Sequence, residues 1–424
     1  MFILMLIILL GGMITGVPVA FALILSSLLV LLIKGIPLVA FIQNLSIGIN
    51  SFPLLAVPFF ILAGQLMNTG GITTRVFRFA NHLVGPIRGG LGQVNILSSL
   101  IFAGMSGAAI ADASGLGVVE IKAMRDAGYD KDFSVAVTAA SSTVGPIIPP
   151  SIAMVVYGMS AEVSVGRLFI GGIIPGLMMT IALMGLTYFI AIRRNYRREQ
   201  RGALKLVIKD FVSALPALMT PLIIVGGILG GVFTPTEAGA VAVLWAVIVG
   251  LFVYKELKLK DLPKVFFEAM FTTAKILFIV GGAYVFGWIL TYFNIPVVFA
   301  SFMGNITSNS TLIILLFIFL YLILGCFMEA AAIIVMTVPV VLPLLHNAGI
   351  DPVFFGVLIT MCLSIGTLTP PLGTVMYVIC NIGDIGVEHF IRIIVPYLAV
   401  LITVVILVGL IPSLVTFLPE LLMK

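Results

Sequence analysis

The chain has 424 residues, of which 61% are hydrophobic and only 9% charged, with a net charge of +5. Soluble domains carry about 25% charged residues, so this composition, with apolar stretches of roughly 18 or more recurring along it, gives a polytopic all-α membrane protein. The roughly ten-residue alternating segments of a transmembrane β-barrel are absent, and the surplus Lys and Arg cluster in a few loops, which argues against a nucleic-acid partner.

Residues 1–33 are almost wholly apolar. "AFA" at 20–22 resembles a signal-peptidase site, but no Lys or Arg precedes the run and it continues to Ile33, so an uncleaved first helix is expected. Residues 36–50 read as a helix lying along the interface. Full spans follow at about 53–74, 133–160, 166–192, 213–231, 236–254, 266–293, 353–383 and 389–418. Two further apolar regions, 91–117 and 311–345, carry glycine or a polar group near the middle and read as re-entrant hairpins. Cys326, Cys362 and Cys380 all lie in apolar segments and read as small buried hydrophobes.

Loop charge orients these spans. Residues 193–209 carry seven Lys or Arg, and 255–264 carry four. Both loops should be cytoplasmic. Counting outward from them places 75–90 and 118–132 on the same side, so hairpin 91–117 enters and leaves by the cytoplasmic face. The flanks of 311–345 hold no Lys or Arg, so that hairpin should enter from outside. The C-terminus is then periplasmic, and Lys34 is a basic loop residue placed outside, against the rule.

The chain repeats a motif. "GPIIPPS" begins at Gly145 and "GTLTPPLGT" at Gly366, a shift of 221 residues. The same shift carries Gly104 of the first hairpin onto Gly325 of the second. Five full spans lie between the hairpins, an odd number, so the two halves face opposite ways. Inverted repeats with broken helices placed alike are the pattern of secondary transporters. Proline has no N–H and cannot continue the helical ladder. Unwound backbone is tolerated at membrane depth where protein or a water-filled cavity surrounds it. There its carbonyls can coordinate a cation.

The chain has no P-loop and no H-E-x-x-H motif, so neither ATP hydrolysis nor zinc chemistry is indicated. His82, His346 and His389 lie at span or hairpin ends, away from the glycine–proline motifs. A serine-hydrolase reading of "GMSGA" (104–108) would need one of them to arrive from a loop. Intramembrane ionisable residues are functional candidates: Asp112 on the first hairpin, Glu329 near the tip of the second, and Glu237, for which "T-P-T-E" also fits a helix cap. Ser98, Ser99 and Ser106 fit close helix packing, and Ser106, beside Gly104 and Gly107, stands out as more.

The stretches "GMSGAAIADASGLG" (104–117), "STVGPIIPPS" (142–151), "TPTEAGAVA" (234–242) and "GTLTPPLGT" (366–374) resemble the large membrane subunit of tripartite ATP-independent periplasmic (TRAP) transporters. The resemblance runs from "GVPVAFAL" (16–23) to about residue 400. It implies a sodium-driven importer of an organic acid, such as sialic acid or a C4-dicarboxylate, in the bacterial inner membrane. The implied fold is an elevator. Scaffold segments would be 1–52, 166–265 and 389–424; transport regions would be 53–165 (hairpin 91–117, broken helix 133–160) and 266–388 (hairpin 311–345, broken helix 353–383). The implied partners are a separate four-helix membrane subunit, a periplasmic substrate-binding protein and the surrounding membrane lipid. Two or more Na⁺ ions would serve as coupling ions, with no ATP.

The resemblance also implies where sodium binds. One site would use Gly104 and Ser106 with carbonyls of Gly145, Ile148 and Pro149; the other Gly325, Gly366, Thr369 and Leu372. The second hairpin lacks the serine of the first, so the two sites need not be equally strong. For the acid, the motif region offers hydroxyls (Ser106, Ser141, Ser142, Thr143, Thr367, Thr374) and the carboxyl-bearing Asp112 and Glu329, but almost no fixed cation. Helix N-termini and bound Na⁺ are therefore expected to hold an anionic substrate. The competing reading is a stand-alone sodium-coupled carboxylate carrier that needs no binding protein.

Overall fold

A computed structural model describes residues 1–196, 204–307 and 309–423. Arg197, Arg198 and Arg201 of the most basic loop lie outside them. Among the described residues the chain is helical throughout, and seven stretches are long and apolar enough to cross a membrane.

The expected single helix over 1–33 is two helices, α1 (Phe2–Ile14) and α2 (Val19–Lys34). Gly16 takes a left-handed conformation (φ +84°), and Pro18, which has no N–H, caps α2. Helix α3 (Leu38–Ile49) packs on α2 and on α13 (Leu262–Tyr292), which also contacts α4 (Ala56–Thr69). Two segments read as loops are helical: α5 (Ile72–Val84) and α14 (Ile295–Ile306). The first hairpin is α6 (Gly90–Ser106) and α7 (Ala109–Asp126), longer than expected. Its turn needs Gly107, which sits at φ +64°. The second hairpin is α15 (Ser310–Gly325) and α16 (Ala330–Asn347), close to the expected bounds.

Both broken helices are broken where the glycine–proline motifs stand. The first is α8 (Lys131–Ser142) and α9 (Ile152–Ser160); the second is α17 (Pro352–Gly366) and α18 (Thr374–Gly383). The Pro149–Pro150 and Pro370–Pro371 bonds are both cis. Asp130 caps α8 by accepting from the Phe133 N–H at 2.7 Å, and Asp351 caps α17 by accepting from Val353 and Phe354. Each such cap is worth about 1 kcal/mol. Helix α10 (Val165–Arg193) follows the first break and α19 (Val387–Leu410) the second. The expected span 389–418 ends early, because Pro412 stops α19 and α20 (Ser413–Leu422) turns back onto α10 and α17. Between the halves lie α11 (Leu204–Leu229) and α12 (Pro235–Ile248).

The 221-residue shift extends from motifs to elements. It carries Ala109–Asp126 onto Ala330–Asn347, and the two caps, breaks and cis bonds onto each other. Contacts exchange in the same way: α7 packs on α18 as α16 packs on α9, and α8 on α19 as α17 on α10. Matching elements of the two halves thus exchange partners. Helices α10 and α19 pack against the hairpins and broken helices, whereas α2, α3, α4, α12 and α13 pack on one another and meet the hairpins mainly through α13 on α16 and α4 on α6.

The basic loops share one face. Arg75 bonds Glu256 at 2.6 Å, His82 bonds Asp210 at 2.8 Å, and Arg194 bonds Asp130 at 2.6 Å. Asp132 bonds His389 at 2.7 Å, which brings the start of α19 to that same face. Lys34 lies instead over the Phe293 ring, at the opposite end of α13.

Candidate functional site between the hairpin tips

Each hairpin tip docks on its own helix break through the backbone. In the first half the Ile152 N–H donates to the Gly107 carbonyl; in the second the Leu372 N–H donates to the Cys326 carbonyl. Gly104 and Gly145 carry no side chain at this junction. A Cβ on Gly104 would lie 2.8 Å from Pro221 and 3.8 Å from the Pro149 carbonyl, and one on Gly145 would lie 3.4 Å from Ala108. The structure therefore brings together Gly104, Gly145 and Pro149.

The first junction has unclaimed acceptors. Among the described residues nothing donates to the carbonyls of Gly145, Ile148 or Pro149. The Ser106 hydroxyl is buried and has no hydrogen-bond partner. A buried polar atom without a partner costs about 1–3 kcal/mol, and free carbonyls beside a free hydroxyl form an oxygen-donor set of the kind that binds Na⁺ in broken-helix transporters. No cluster of His, Cys, Asp or Glu among the described residues could hold a metal ion.

The second junction differs. The Thr369 hydroxyl donates to the Gly366 carbonyl at 2.8 Å and also lies 2.8 Å from Cys326 Sγ. The carbonyls of Gly325, Thr369 and Leu372 accept no hydrogen bond among the described residues. Gly366 and Gly325 touch backbone to backbone: a Cβ on Gly366 would lie 2.6 Å from Gly325. The first break is largely buried, whereas Pro370, Pro371, Leu372 and Thr374 of the second are exposed.

A cavity of about 430 Å³ joins the two tips. Ser106 and Ala108 come from the first tip, Glu329 from the second, Gln65 and Asn68 from α4, and Lys275 from α13. Of the residues expected to meet substrate, Ser106 and Glu329 line it. Glu329 stands at the N-cap of α16 without bonding the helix, so its carboxylate is not engaged as a cap. Lys275 was not singled out in the sequence, although a lysine inside an apolar span is a signal of its own. Its ammonium lies 4.4 Å above the Phe271 ring.

The other expected residues lie elsewhere. Ser142 and Thr143 are buried and donate to the carbonyls of Ala139 and Ala140. Ser141 joins a buried network, donating to Asn95 Oδ1 at 2.7 Å while Ser99 approaches it at 3.1 Å. The Thr367 hydroxyl donates to the Ser364 carbonyl, and Thr374 opens α18 on the exposed side of the second break. Asp112 is buried beside Ser99, yet neither carboxylate oxygen makes a hydrogen bond of acceptable geometry. Glu120, on the same helix, is equally buried and unpaired. Glu237 is a helix cap: its carboxylate accepts from the Thr234 N–H at 2.8 Å and completes a capping box.

The chain resembles known transporters throughout. It is 45% identical over 415 residues to the sialic acid TRAP transporter large permease protein SiaM of Vibrio cholerae, covering 97% of each chain. It is 42% identical over 411 residues to the sialic acid TRAP transporter permease protein SiaT of Haemophilus influenzae, covering 97% of this chain and 67% of that one. Its fold is similar to that of the YdaH transporter of Alcanivorax borkumensis, with a TM-score of 0.65 at 16% identity, covering 87% and 86% of the two chains. Residues 6–414 match the family model of the tripartite ATP-independent periplasmic transporter, DctM component, and the chain, a membrane transport protein rather than an enzyme, belongs to that family.

Proposed function

We propose that this protein imports an organic acid across the bacterial inner membrane by sodium-coupled elevator movement, together with a periplasmic binding protein and a small membrane subunit. The observation that carries the reading is an asymmetry between repeat mates. Helix α13 packs closely along α16, whereas the equivalent pair, α4 and α7, meets sparsely, with Asn68 against Gly115 and the cavity opening beside that contact. Two halves built alike but opened unequally are what alternating access requires, since exchanging the two arrangements moves the opening to the other side. With loop 255–264 in the cytoplasm, the cavity faces inward and the structure represents the release state.

The roles follow from the chemistry of the donors. The oxygen-rich junctions of hairpin tip and helix break would hold Na⁺, Ser106 with Gly145, Ile148 and Pro149 in one half and the carbonyls of Gly325, Thr369 and Leu372 in the other. The acid would lie between the tips, its carboxylate toward Lys275 and Na⁺ and its hydroxyl or amide groups toward Ser106 and Glu329. The body of hairpins and broken helices, with α10 and α19, would slide against α2–α4, α12 and α13. The names of the two relatives favour sialic acid as substrate. Proteoliposomes holding the chain and both partners test this, with sialic acid against succinate and with or without a sodium gradient. Sialic acid uptake that needs both the gradient and the binding protein is the expected result. Robust sodium-driven uptake by the chain alone would replace the tripartite reading with a stand-alone carrier.

A further inference from the structure

A second crevice lies far from the hairpin tips, where α8, α10 and α19 meet on the basic face. Its volume is about 640 Å³. Its walls are apolar: Leu186, Phe189 and Ile190 of α10, Ala136 of α8, and Ile393 and Pro396 of α19. Its mouth is charged, carrying Arg193, Arg194, Arg392 and Asp132. Leu186 stands seven residues before Arg193, so the apolar part reaches roughly 10 Å below the charged rim. Phe189 on the wall is 67% exposed.

The charges at the mouth do not cancel. Arg194 is paired with Asp130 at 2.6 Å, and Asp132 with His389 at 2.7 Å. Arg193 and Arg392 are exposed, and among the described residues neither pairs with an acid. The rim thus presents two free guanidiniums over an apolar slot. A guanidinium binds a phosphate through two parallel hydrogen bonds. Basic pockets between helices on the cytoplasmic side take acidic lipid headgroups.

We propose that this crevice holds one phospholipid with a net negative headgroup, its phosphate on Arg193 and Arg392 and an acyl chain in the slot between α8, α10 and α19. The shape is that of an amphiphile, charged at one end and apolar below. A zwitterionic headgroup fits less well, because its ammonium adds positive charge to a rim where Arg193 and Arg392 are uncompensated and the acids, Asp130 and Asp132, are already paired.

The test uses the full chain, purified in detergent and stripped of lipid, with phosphatidylglycerol and phosphatidylcholine of equal chain length supplied in equal amounts. Retained lipid is read by native mass spectrometry. Wild type should keep phosphatidylglycerol at least fivefold over phosphatidylcholine. Arg193→Gln with Arg392→Gln should lose that preference, while Arg193→Lys with Arg392→Lys should keep most of it. Lys258→Gln with Lys260→Gln removes the same charge from the same face and should change nothing. Equal retention of the two lipids by wild type overturns the proposal, whatever the variants do. So does an undiminished preference in the Arg→Gln pair.

Discussion

The Ser364 hydroxyl donates to the Thr143 carbonyl at 2.7 Å, and the two residues are repeat mates, 221 positions apart. The bond therefore joins matching positions of the two halves directly. It exists because the first break frees the carbonyl: the Ile147 N–H, its partner in a continuous helix, bonds Val144 instead. Ser364→Ala leaves a buried acceptor without a donor, a loss of about 1–3 kcal/mol. The expected outcome is a lower unfolding temperature of the purified protein with insertion into the membrane unaffected. An unchanged melting curve would show that the bond does not join the halves energetically.

The two junctions predict unequal sodium sites. Ser106 offers a hydroxyl with no other partner, whereas the Thr369 hydroxyl is already engaged by Gly366 and Cys326. Ser106→Ala should raise the sodium concentration for half-maximal uptake about tenfold or more, the equivalent of one lost charge-assisted contact. Thr369→Val should shift it less. Sodium titration of uptake in proteoliposomes reads both, and a larger effect at Thr369 would reverse the assignment.

The glycines of the two breaks should also differ. A methyl group at Gly366 would sit 2.6 Å from the Gly325 backbone, a distance no Cβ tolerates, and neither backbone segment can yield without undocking the tip. At Gly145 the nearest atoms are 3.2–3.4 Å away, tight but accommodated by a small shift. Gly366→Ala should abolish sodium-dependent uptake while the protein stays in the membrane, and Gly145→Ala should reduce it only in part. Substitution by valine should abolish it at either position.

Backbone chemistry made half of this architecture readable in advance. Gly145, Pro149 and Pro150 break a helix for local reasons, and their copies at Gly366, Pro370 and Pro371 expose the repeat by spacing alone. Other features depend on what hydropathy does not register. The break at Pro18 lies in a run so apolar that composition reads straight through it. Helix α5 carries Arg75 and Arg78, and a charge count made it a loop. Side-chain direction is the harder limit. Ser141, Ser142 and Thr143 supply hydroxyls beside the motif, but each bonds within the core and none reaches the cavity. Lys275 reaches the cavity because α13 packs beside a hairpin tip more than 50 residues further along the chain, a contact no local pattern announces.

Among the described residues Lys275 is the one lysine or arginine lining the cavity, and its role is testable by charge. The Phe271 ring holds the ammonium against the wall at 4.4 Å. Lys275→Met should raise the KM for the acid about tenfold, as expected for loss of one hydrogen bond to a charged group, with the half-saturating sodium concentration little changed. Lys275→Arg should restore most of the affinity. Uptake kinetics in the presence of both partners separate the two constants. A variant that altered only the response to sodium would move Lys275 from the substrate to the ion sites.

The last prediction concerns orientation. Five loops meet through side chains on one face: Arg75 with Glu256, His82 with Asp210, Arg194 with Asp130, Lys131 with Asp384, and Asp132 with His389. The surplus of Lys and Arg there assigns that face to the cytoplasm. Because α19 starts on this face and runs 24 residues, about 36 Å, it ends on the other. The C-terminal helix α20 and Lys34 are then expected on the periplasmic side. In a background with Cys326, Cys362 and Cys380 replaced, Leu259→Cys should react with an impermeant thiol reagent only after the cells are opened. Leu422→Cys should react in spheroplasts that are still intact. The reverse pattern would invert the whole assembly, turning the cavity toward the periplasm and making the structure the state that accepts the acid.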